Sequence, residues 1–111
     1  MILISDSMCA VGMKDGEYTL GGQNVTISGP LATLADGTIA GSATNLYDCM
    51  RKAVEMGIPK EQAIRAATIN PAVSIGVRDE VGSLEAGKYA NIVIADKELH
   101  RRQVILKGVI L

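Results

Sequence analysis

The sequence predicts a mixed α and β fold, and three observations along the chain lead to this prediction. Two runs of strand-forming residues, 17–20 and 23–28, flank a Gly-Gly pair that is typical of a β-hairpin turn. Three stretches with helical spacing follow between residues 44 and 75. From Val77 the chain returns to β-type sequence, which is richest in apolar residues after residue 91. No linker separates these regions, so the helical stretches are expected to form a continuous layer.

The N-terminal residues predict a short buried strand that ends at a carboxylate. Met1–Ser5 is apolar except for its last residue, and Asp6 follows it at the start of a flexible run that reaches Gly16. Enzymes with α/β barrels place their chemistry at the carboxyl ends of buried strands. A third strand is predicted at Leu31–Leu34, and Thr38–Ser42 is interpreted as a glycine-containing approach to a helix.

Helix-starting and helix-ending residues divide the central region into three helices. Ser42 or Thr44 is predicted to cap the first helix, which runs to about Met56 before Gly57. Pro59 fits the first turn of a second helix, from Lys60 to about Thr68, and Asn70 is predicted to cap a third helix over residues 71–75. The residues expected to face inward are Leu46, Cys49, Met50, Ala53, Val54, Ala63, Ile64 and Ala67.

The C-terminal strands leave two pairings open. Residues 108–111 could pair with 103–106 around Lys107-Gly108, or residues 104–106 could face 92–94. Both faces of these strands are apolar, and such strands need covering partners.

Composition excludes several classes of function. A net charge of −1 gives no reason to expect nucleic acid or an anionic membrane as a partner, and no apolar run approaches the length of a membrane span. The two cysteines, Cys9 and Cys49, lack metal-binding spacing and are expected to be free thiols in a reducing cytoplasm. His100, the single histidine, is expected at the surface rather than as a metal ligand.

Two blocks of sequence carry a family resemblance. The segments 4–8, 16–22 and 36–42 (ISDSM, GEYTLGG and DGTIAGS) resemble the N-acetylglucosamine-6-phosphate deacetylases. Asn70-Pro71-Ala72 and the segment 82–93 (GSLEAGKYANIV) resemble the wider metal-dependent amidohydrolase superfamily. The resemblance covers essentially the whole chain and corresponds to the C-terminal part of the enzyme.

The resemblance implies the C-terminal fragment of a TIM-barrel amidohydrolase. Residues 1–76 would contribute the last barrel strand, a hairpin insertion and helices, and residues 77–111 would form part of a small β-sandwich. The implied reaction is metal-assisted hydrolysis of the N-acetyl group, which gives glucosamine 6-phosphate and acetate.

The resemblance also implies site residues. Asp6 matches the catalytic aspartate, which would serve as general base and then as general acid, and Ile39, Ala40 and Gly41 match a segment that lines the sugar. From the residues alone, Asp6 could instead be a loop acid that caps a turn or helix, and Ile39–Gly41 could be an ordinary loop before a helix.

A divalent metal, with zinc expected, is implied for the intact enzyme and not for this chain alone. A catalytic zinc site needs about three protein ligands, whereas this chain has one distant histidine. The chain alone is therefore expected to be inactive, with an amino-sugar phosphate as substrate of the intact enzyme and a homo-oligomer or upstream polypeptide as partner. Two alternatives stay open: a non-catalytic module that self-associates or complements an upstream polypeptide, and a sugar-phosphate binder without turnover.

Overall fold

A computed structural model describes residues 1–111 as two antiparallel sheets joined by a layer of three helices. In chain order the elements are β1 (Gly16–Leu20), β2 (Gln23–Ser28), β3 (Leu31–Leu34), β4 (Ile39–Ser42), α1 (Leu46–Glu55), α2 (Lys60–Ala67), α3 (Ile69–Ser74), β5 (Ile92–Ala95), β6 (Arg101–Leu106) and β7 (Val109–Ile110).

The first sheet is a four-stranded meander in the order β1-β2-β3-β4, and its first turn confirms the predicted hairpin. Leu20 pairs with Gln23, and the two intervening glycines have φ angles of 56° and 82°. Both angles lie in the left-handed region, as a type I′ turn requires, and only glycine adopts them without steric cost. Val25, Ile27 and Ala32 of this sheet form a small core with Ala10 from the preceding loop.

Residues 39–42 form a strand, so the predicted loop before the first helix is wrong in this region. β4 pairs antiparallel with β3, and Ala32 lies opposite Gly41. The other edge of β4 is extended by one parallel bridge between Ser7 and Ser42. A local sequence pattern does not predict this bridge, because it joins backbone groups that are far apart in the sequence.

The predicted buried strand at Met1–Ser5 is also wrong for this chain. These residues belong to neither sheet, and the side chains of Met1 and Ile4 are 62% and 77% exposed. The backbone N–H of Leu3 donates to the carbonyl of Ala66 at 2.9 Å, which attaches the segment to α2. A strand is buried only where neighbouring strands flank it, and this segment pairs with no strand here.

The helices agree with the prediction in number and position, but their caps differ. Asn45, rather than Ser42 or Thr44, caps α1, because its side-chain oxygen accepts from the backbone N–H of Asp48 at 3.0 Å. Asn70 lies within α3 and does not cap it, since its side-chain amide donates to the carbonyl of Met1 at 2.8 Å. α3 starts before Pro71, which the first turn of a helix tolerates.

The structure confirms the centre of the predicted inward face of the helices. Met50, Ala53 and Ala63 are buried together, and Leu99 from the C-terminal region completes the cluster. The prediction that Ile64 faces inward is wrong, because its side chain is 37% exposed. Ala66 is buried in α2 instead. With small alanines at the contact, the helices α1 and α2 pack closely and leave the larger Ile64 on a face without a covering partner.

Both open pairings of the C-terminal strands occur, because β6 lies between its two neighbours. Ile105 pairs with Ile92 of β5 on one side and with Ile110 of β7 on the other. The turn between β5 and β6 connects this sheet to the helices. There Leu99 enters the helical cluster, and the Tyr47 hydroxyl donates to the Leu99 carbonyl at 3.1 Å.

The molecule exposes much more surface than a compact domain of its size. Only 10 of 111 residues are buried, and the accessible surface is 7665 Å², compared with about 5,900 Å² expected for a compact monomer of this mass. The radius of gyration is 16.1 Å, compared with about 13 Å for a compact chain of this length. None of the three helices is long and apolar enough to cross a membrane.

Candidate functional site

Asp6 lies in an irregular segment that is held against the edge of the first sheet. Its φ angle of 51° is uncommon for a residue other than glycine. Two hydrogen bonds to Ser42 form the parallel bridge of this segment: the Asp6 carbonyl accepts from the Ser42 N–H at 3.1 Å, and the Met8 N–H donates to the Ser42 carbonyl at 3.0 Å. The backbone of Asp6 is therefore fixed to β4.

The side chain of Asp6 is exposed and accepts no hydrogen bond from any group of the chain. A carboxylate that capped a turn or helix would accept backbone N–H groups. The alternative role as a capping acid therefore has no hydrogen bond to support it in this geometry. The carboxylate is instead free to contact a molecule outside the chain.

The structure brings the predicted sugar-lining segment next to Asp6. A Cβ atom added at Gly41 would lie 3.6 Å from the Asp6 carbonyl oxygen and 3.9 Å from the Met8 Cβ. Gly41 therefore packs directly on residues 6–8, whereas the Ile39 side chain is 66% exposed. Asp6 and Gly41, which are far apart in sequence, therefore lie side by side at the edge of the sheet.

Three hydroxyl-bearing or carbonyl groups beside Asp6 were not predicted as part of the site. The Ser7 hydroxyl oxygen lies 2.6 Å from the carbonyl oxygen of Thr44 and 2.6 Å from the hydroxyl oxygen of Ser5. The sequence signal is the pair of serines that flanks Asp6, but the contact with Thr44 depends on the fold.

The residues around Asp6 do not fit a complete catalytic metal site. Asp6 belongs to no cluster of three potential ligand side chains, and the only such cluster in the chain is Asp96, Glu98 and His100. Zinc sites with a catalytic role take about three protein ligands. Asp6 alone cannot hold such a metal.

The Asp96 cluster is accounted for by its internal hydrogen bonds. One Asp96 oxygen accepts from the backbone N–H of His100 at 2.8 Å, and the other lies 2.9 Å from the Arg102 guanidinium and 3.0 Å from the His100 ring. The backbone hydrogen bond from His100 is the main cause that lowers the pKa of Asp96. The His100 side chain is 56% exposed, in agreement with its predicted surface position.

A separate apolar cleft of about 860 Å³ opens between the helices and the C-terminal sheet. Fifteen of its twenty lining residues are hydrophobic, and Asp6 is not among them. The cleft therefore belongs to the exposed apolar surface of the molecule and not to the Asp6 site.

Comparison with known proteins identifies the family to which this chain belongs. The profile of the amidohydrolase family matches residues 22–111. This chain therefore belongs to the amidohydrolase family.

Its more specific relatives are amino-sugar phosphate deacetylases. The chain is 39% identical over 109 residues to an N-acetylgalactosamine-6-phosphate deacetylase of Escherichia coli O157:H7, covering 97% of this chain and 29% of that protein. The crystal structure of N-acetylglucosamine-6-phosphate deacetylase from Pasteurella multocida superposes with a TM-score of 0.91 at 26% identity, covering 99% of this chain and 29% of that one.

A third relative is an N-acetyl-D-glucosamine-6-phosphate deacetylase mutant of Mycobacterium smegmatis, solved in complex with N-acetyl-D-glucosamine-6-phosphate. It superposes with a TM-score of 0.84 at 35% identity, covering 98% of this chain and 30% of that one. The chain thus spans less than a third of the length of each of these three relatives, and 65% of a shorter relative from E. coli strain K12.

Proposed function

We propose that this chain contributes part of the active site of a deacetylase that acts on N-acetylglucosamine 6-phosphate. The products would be glucosamine 6-phosphate and acetate. The observation that carries the proposal is that the backbone of Asp6 is fixed beside Gly41, while its exposed carboxylate has no hydrogen-bond partner within the chain. The names of the relatives support the choice of substrate class.

In this proposal, Asp6 transfers protons during hydrolysis of the amide bond. It takes a proton from the water that attacks the acetyl carbonyl, and it returns a proton to the departing amine. The backbone of Ile39, Ala40 and Gly41 lines the sugar, since glycine at position 41 and alanine at position 40 leave room for close approach.

Amidohydrolases are generally metal-dependent, so a divalent metal, with zinc the first choice, belongs to the proposed enzyme. Because the residues around Asp6 do not hold such an ion, its ligands are assigned to a further polypeptide. The proton transfers above are the contribution of this chain. The chain of residues 1–111 is expected to be inactive by itself. A cytoplasmic location is expected for the enzyme.

The domain assignment is part of the same proposal. Residues 1–76 would belong to a barrel domain and residues 77–111 to a small β-sandwich. The covering polypeptide would pack on the apolar cleft and on the exposed residues Met1 and Ile4. Burial of these apolar groups would contribute roughly 25 cal/mol per Å².

A chimeric enzyme tests the proposal. Residues 1–111 would replace the matching segment of the M. smegmatis deacetylase, and acetate release from N-acetylglucosamine 6-phosphate would be measured with added zinc. We expect turnover by the chimera and none by the chain alone. Substitution Asp6→Asn should lower kcat by about 10³-fold, because general acid–base groups contribute 10² to 10⁴ in rate.

Asp79→Asn is the matched control, since Asp79 is an exposed acid that makes no side-chain hydrogen bond or ion pair. Near-normal turnover by the Asp6→Asn chimera would refute the catalytic role. N-acetylgalactosamine 6-phosphate would be tested in parallel, and a higher kcat/KM for it would contradict the proposed substrate.

A second candidate function, which the names of the relatives do not support, is a non-catalytic module that associates through the exposed apolar surface. Sedimentation of the chain alone distinguishes its forms. A self-associating module would form dimers or larger species at micromolar concentration, whereas a stable monomer without added polypeptide would argue against obligatory self-association.

A further inference from the structure

We propose that Ser7 is a positioning residue for Asp6, acting through a hydroxyl chain that joins Ser5, Ser7 and the carbonyl of Thr44. This inference rests on the proposed function, because a fixed orientation of Asp6 matters for activity only if its carboxylate takes part in the reaction. The contacts themselves are properties of this chain and are testable without a substrate.

The direction of the hydrogen bonds follows from the groups involved. A hydroxyl group has one proton to donate, and a backbone carbonyl can only accept. Ser7 therefore donates to the Thr44 carbonyl across 2.6 Å. The hydroxyl oxygens of Ser7 and Ser5 are also 2.6 Å apart, so the Ser5 hydroxyl donates to Ser7. The result is a chain of two hydrogen bonds that runs from the residue before Asp6, through the residue after it, to the segment that leads into α1.

The backbone of Asp6 needs such support because of its conformation. Its φ of 51° lies in the left-handed region, where a residue with a side chain is held only if its surroundings fix it. The two backbone hydrogen bonds to Ser42 hold residues 6–8 against β4. The Ser7 hydroxyl also donates to the Thr44 carbonyl. This second contact restricts rotation of residues 6–8 about their hydrogen bonds to Ser42.

Amide hydrogen exchange in the isolated chain tests the structural part. We expect Ser7→Ala, which removes both hydrogen bonds of the Ser7 hydroxyl, to speed exchange of the Met8 and Ser42 amides about threefold, since hydrogen bonds at exposed sites stabilise at the low end of the usual range. Ser7→Thr, which keeps the hydroxyl, should restore the original rates. Ser28→Ala, an exposed serine of β2 whose hydroxyl has no hydrogen bond, is the matched control. Unchanged exchange in Ser7→Ala would overturn the proposal, whatever its activity.

Kinetics of the chimera test the positioning part. Ser7→Ala should lower kcat about tenfold with KM unchanged, because misplacement of a proton-transfer group affects the chemical step and not uniform binding. Ser7→Thr should recover most of this loss, and the thermal unfolding midpoints of Ser7→Ala and Ser28→Ala should lie within a few degrees of each other, so that unfolding does not account for the lower kcat.

The two proposals fail in different ways. If Asp6→Asn leaves the chimera active, the catalytic role of Asp6 is wrong. If Asp6→Asn abolishes turnover but Ser7→Ala retains full kcat, only the positioning role is wrong. A rise in KM with unchanged kcat in Ser7→Ala would also contradict the positioning role.

Discussion

At the scale of single residues, the chain places two aspartates in opposite situations. Asp6 has a backbone fixed by hydrogen bonds and a side chain without partners, whereas Asp96 has a side chain occupied by His100 and Arg102. A carboxylate held by its own chain stabilises a turn, and one left free can act on another molecule. This difference in hydrogen bonding, rather than the residue type, distinguishes the candidate catalytic acid from the structural one.

The structural role of Asp96 predicts a pH dependence of stability. Hydrogen bonding, chiefly from the His100 backbone N–H, lowers the pKa of Asp96 in the folded state below its ordinary value of 3.8. Its contribution is therefore present above pH 4 and is lost as the pH falls through the folded-state pKa. Urea unfolding between pH 2 and pH 6 should show a steeper acid loss for the natural chain than for Asp96→Asn.

The control for this measurement is Asp79→Asn, whose acid loss should match that of the natural chain. If Asp96→Asn also follows the natural chain over the whole range, the hydrogen bonds to Asp96 do not contribute to stability.

At the scale of elements, local turn chemistry explains which parts of the fold the sequence predicts. The hairpin around Gly21-Gly22 was predicted correctly because its signal lies within the turn itself. The strand β4 and the exposed Met1–Ser5 segment were mispredicted, because both outcomes depend on which neighbours are present. Asp6 was singled out by its place after an apolar run and by family resemblance, but its contact with Ser42 and the Ser7–Thr44 bond are tertiary.

Leu99 anchors the C-terminal sheet to the helices. It is 9% exposed, packs with Met50, Ala53 and Ala63, and has a φ of 62°. We expect Leu99→Ala to lower the free energy of unfolding by about 2–4 kcal/mol, the usual cost of truncating a buried leucine. Chemical denaturation of this variant and of Leu106→Ala, at a 50% exposed position of β6, would measure the difference. Equal effects of the two substitutions would contradict the anchoring role.

Gly82 fixes the loop after α3 against that helix. A Cβ atom at this position would lie 2.9 Å from the Ala72 Cβ and 3.1 Å from the Ile69 Cα, and its φ is 101°. Gly82→Ala should therefore destabilise the chain by about 2–3 kcal/mol, through steric overlap in addition to backbone strain.

Gly87→Ala separates the two causes of this loss. Gly87 has a similar φ of 92° but open space around its Cα, so only the backbone cost of about 1 kcal/mol is expected. Thermal or urea unfolding compares the two variants, and an equal loss in both would show that contact with α3 does not limit position 82.

At the scale of the whole molecule, the main feature is an excess of exposed apolar surface. The accessible area is about 30% above that of a compact monomer of this mass, and an apolar cleft of about 860 Å³ lies between the helices and the C-terminal sheet. The solved relatives embed the same fold in chains more than three times as long. The proposed covering polypeptide would account for both the exposed surface and the metal ligands that this chain does not supply.

The surface excess predicts how the isolated chain behaves in solution. A dye that binds exposed apolar groups should fluoresce strongly with the natural chain, and Ile75→Ser, at a 74% exposed position lining the cleft, should reduce the signal without loss of stability. Val109→Ser is the control, since Val109 is 63% exposed and lies outside the cleft. An equal reduction by both substitutions would show that the cleft is not the main apolar surface.

The proposed function depends on proton transfer by Asp6 during deacetylation. The most direct measurement is kcat for acetate release from N-acetylglucosamine 6-phosphate by the chimera that carries Asp6 and by its Asp6→Asn variant, with zinc content checked in both. We expect a ratio of about 10³ at equal zinc content. A ratio near one would contradict it.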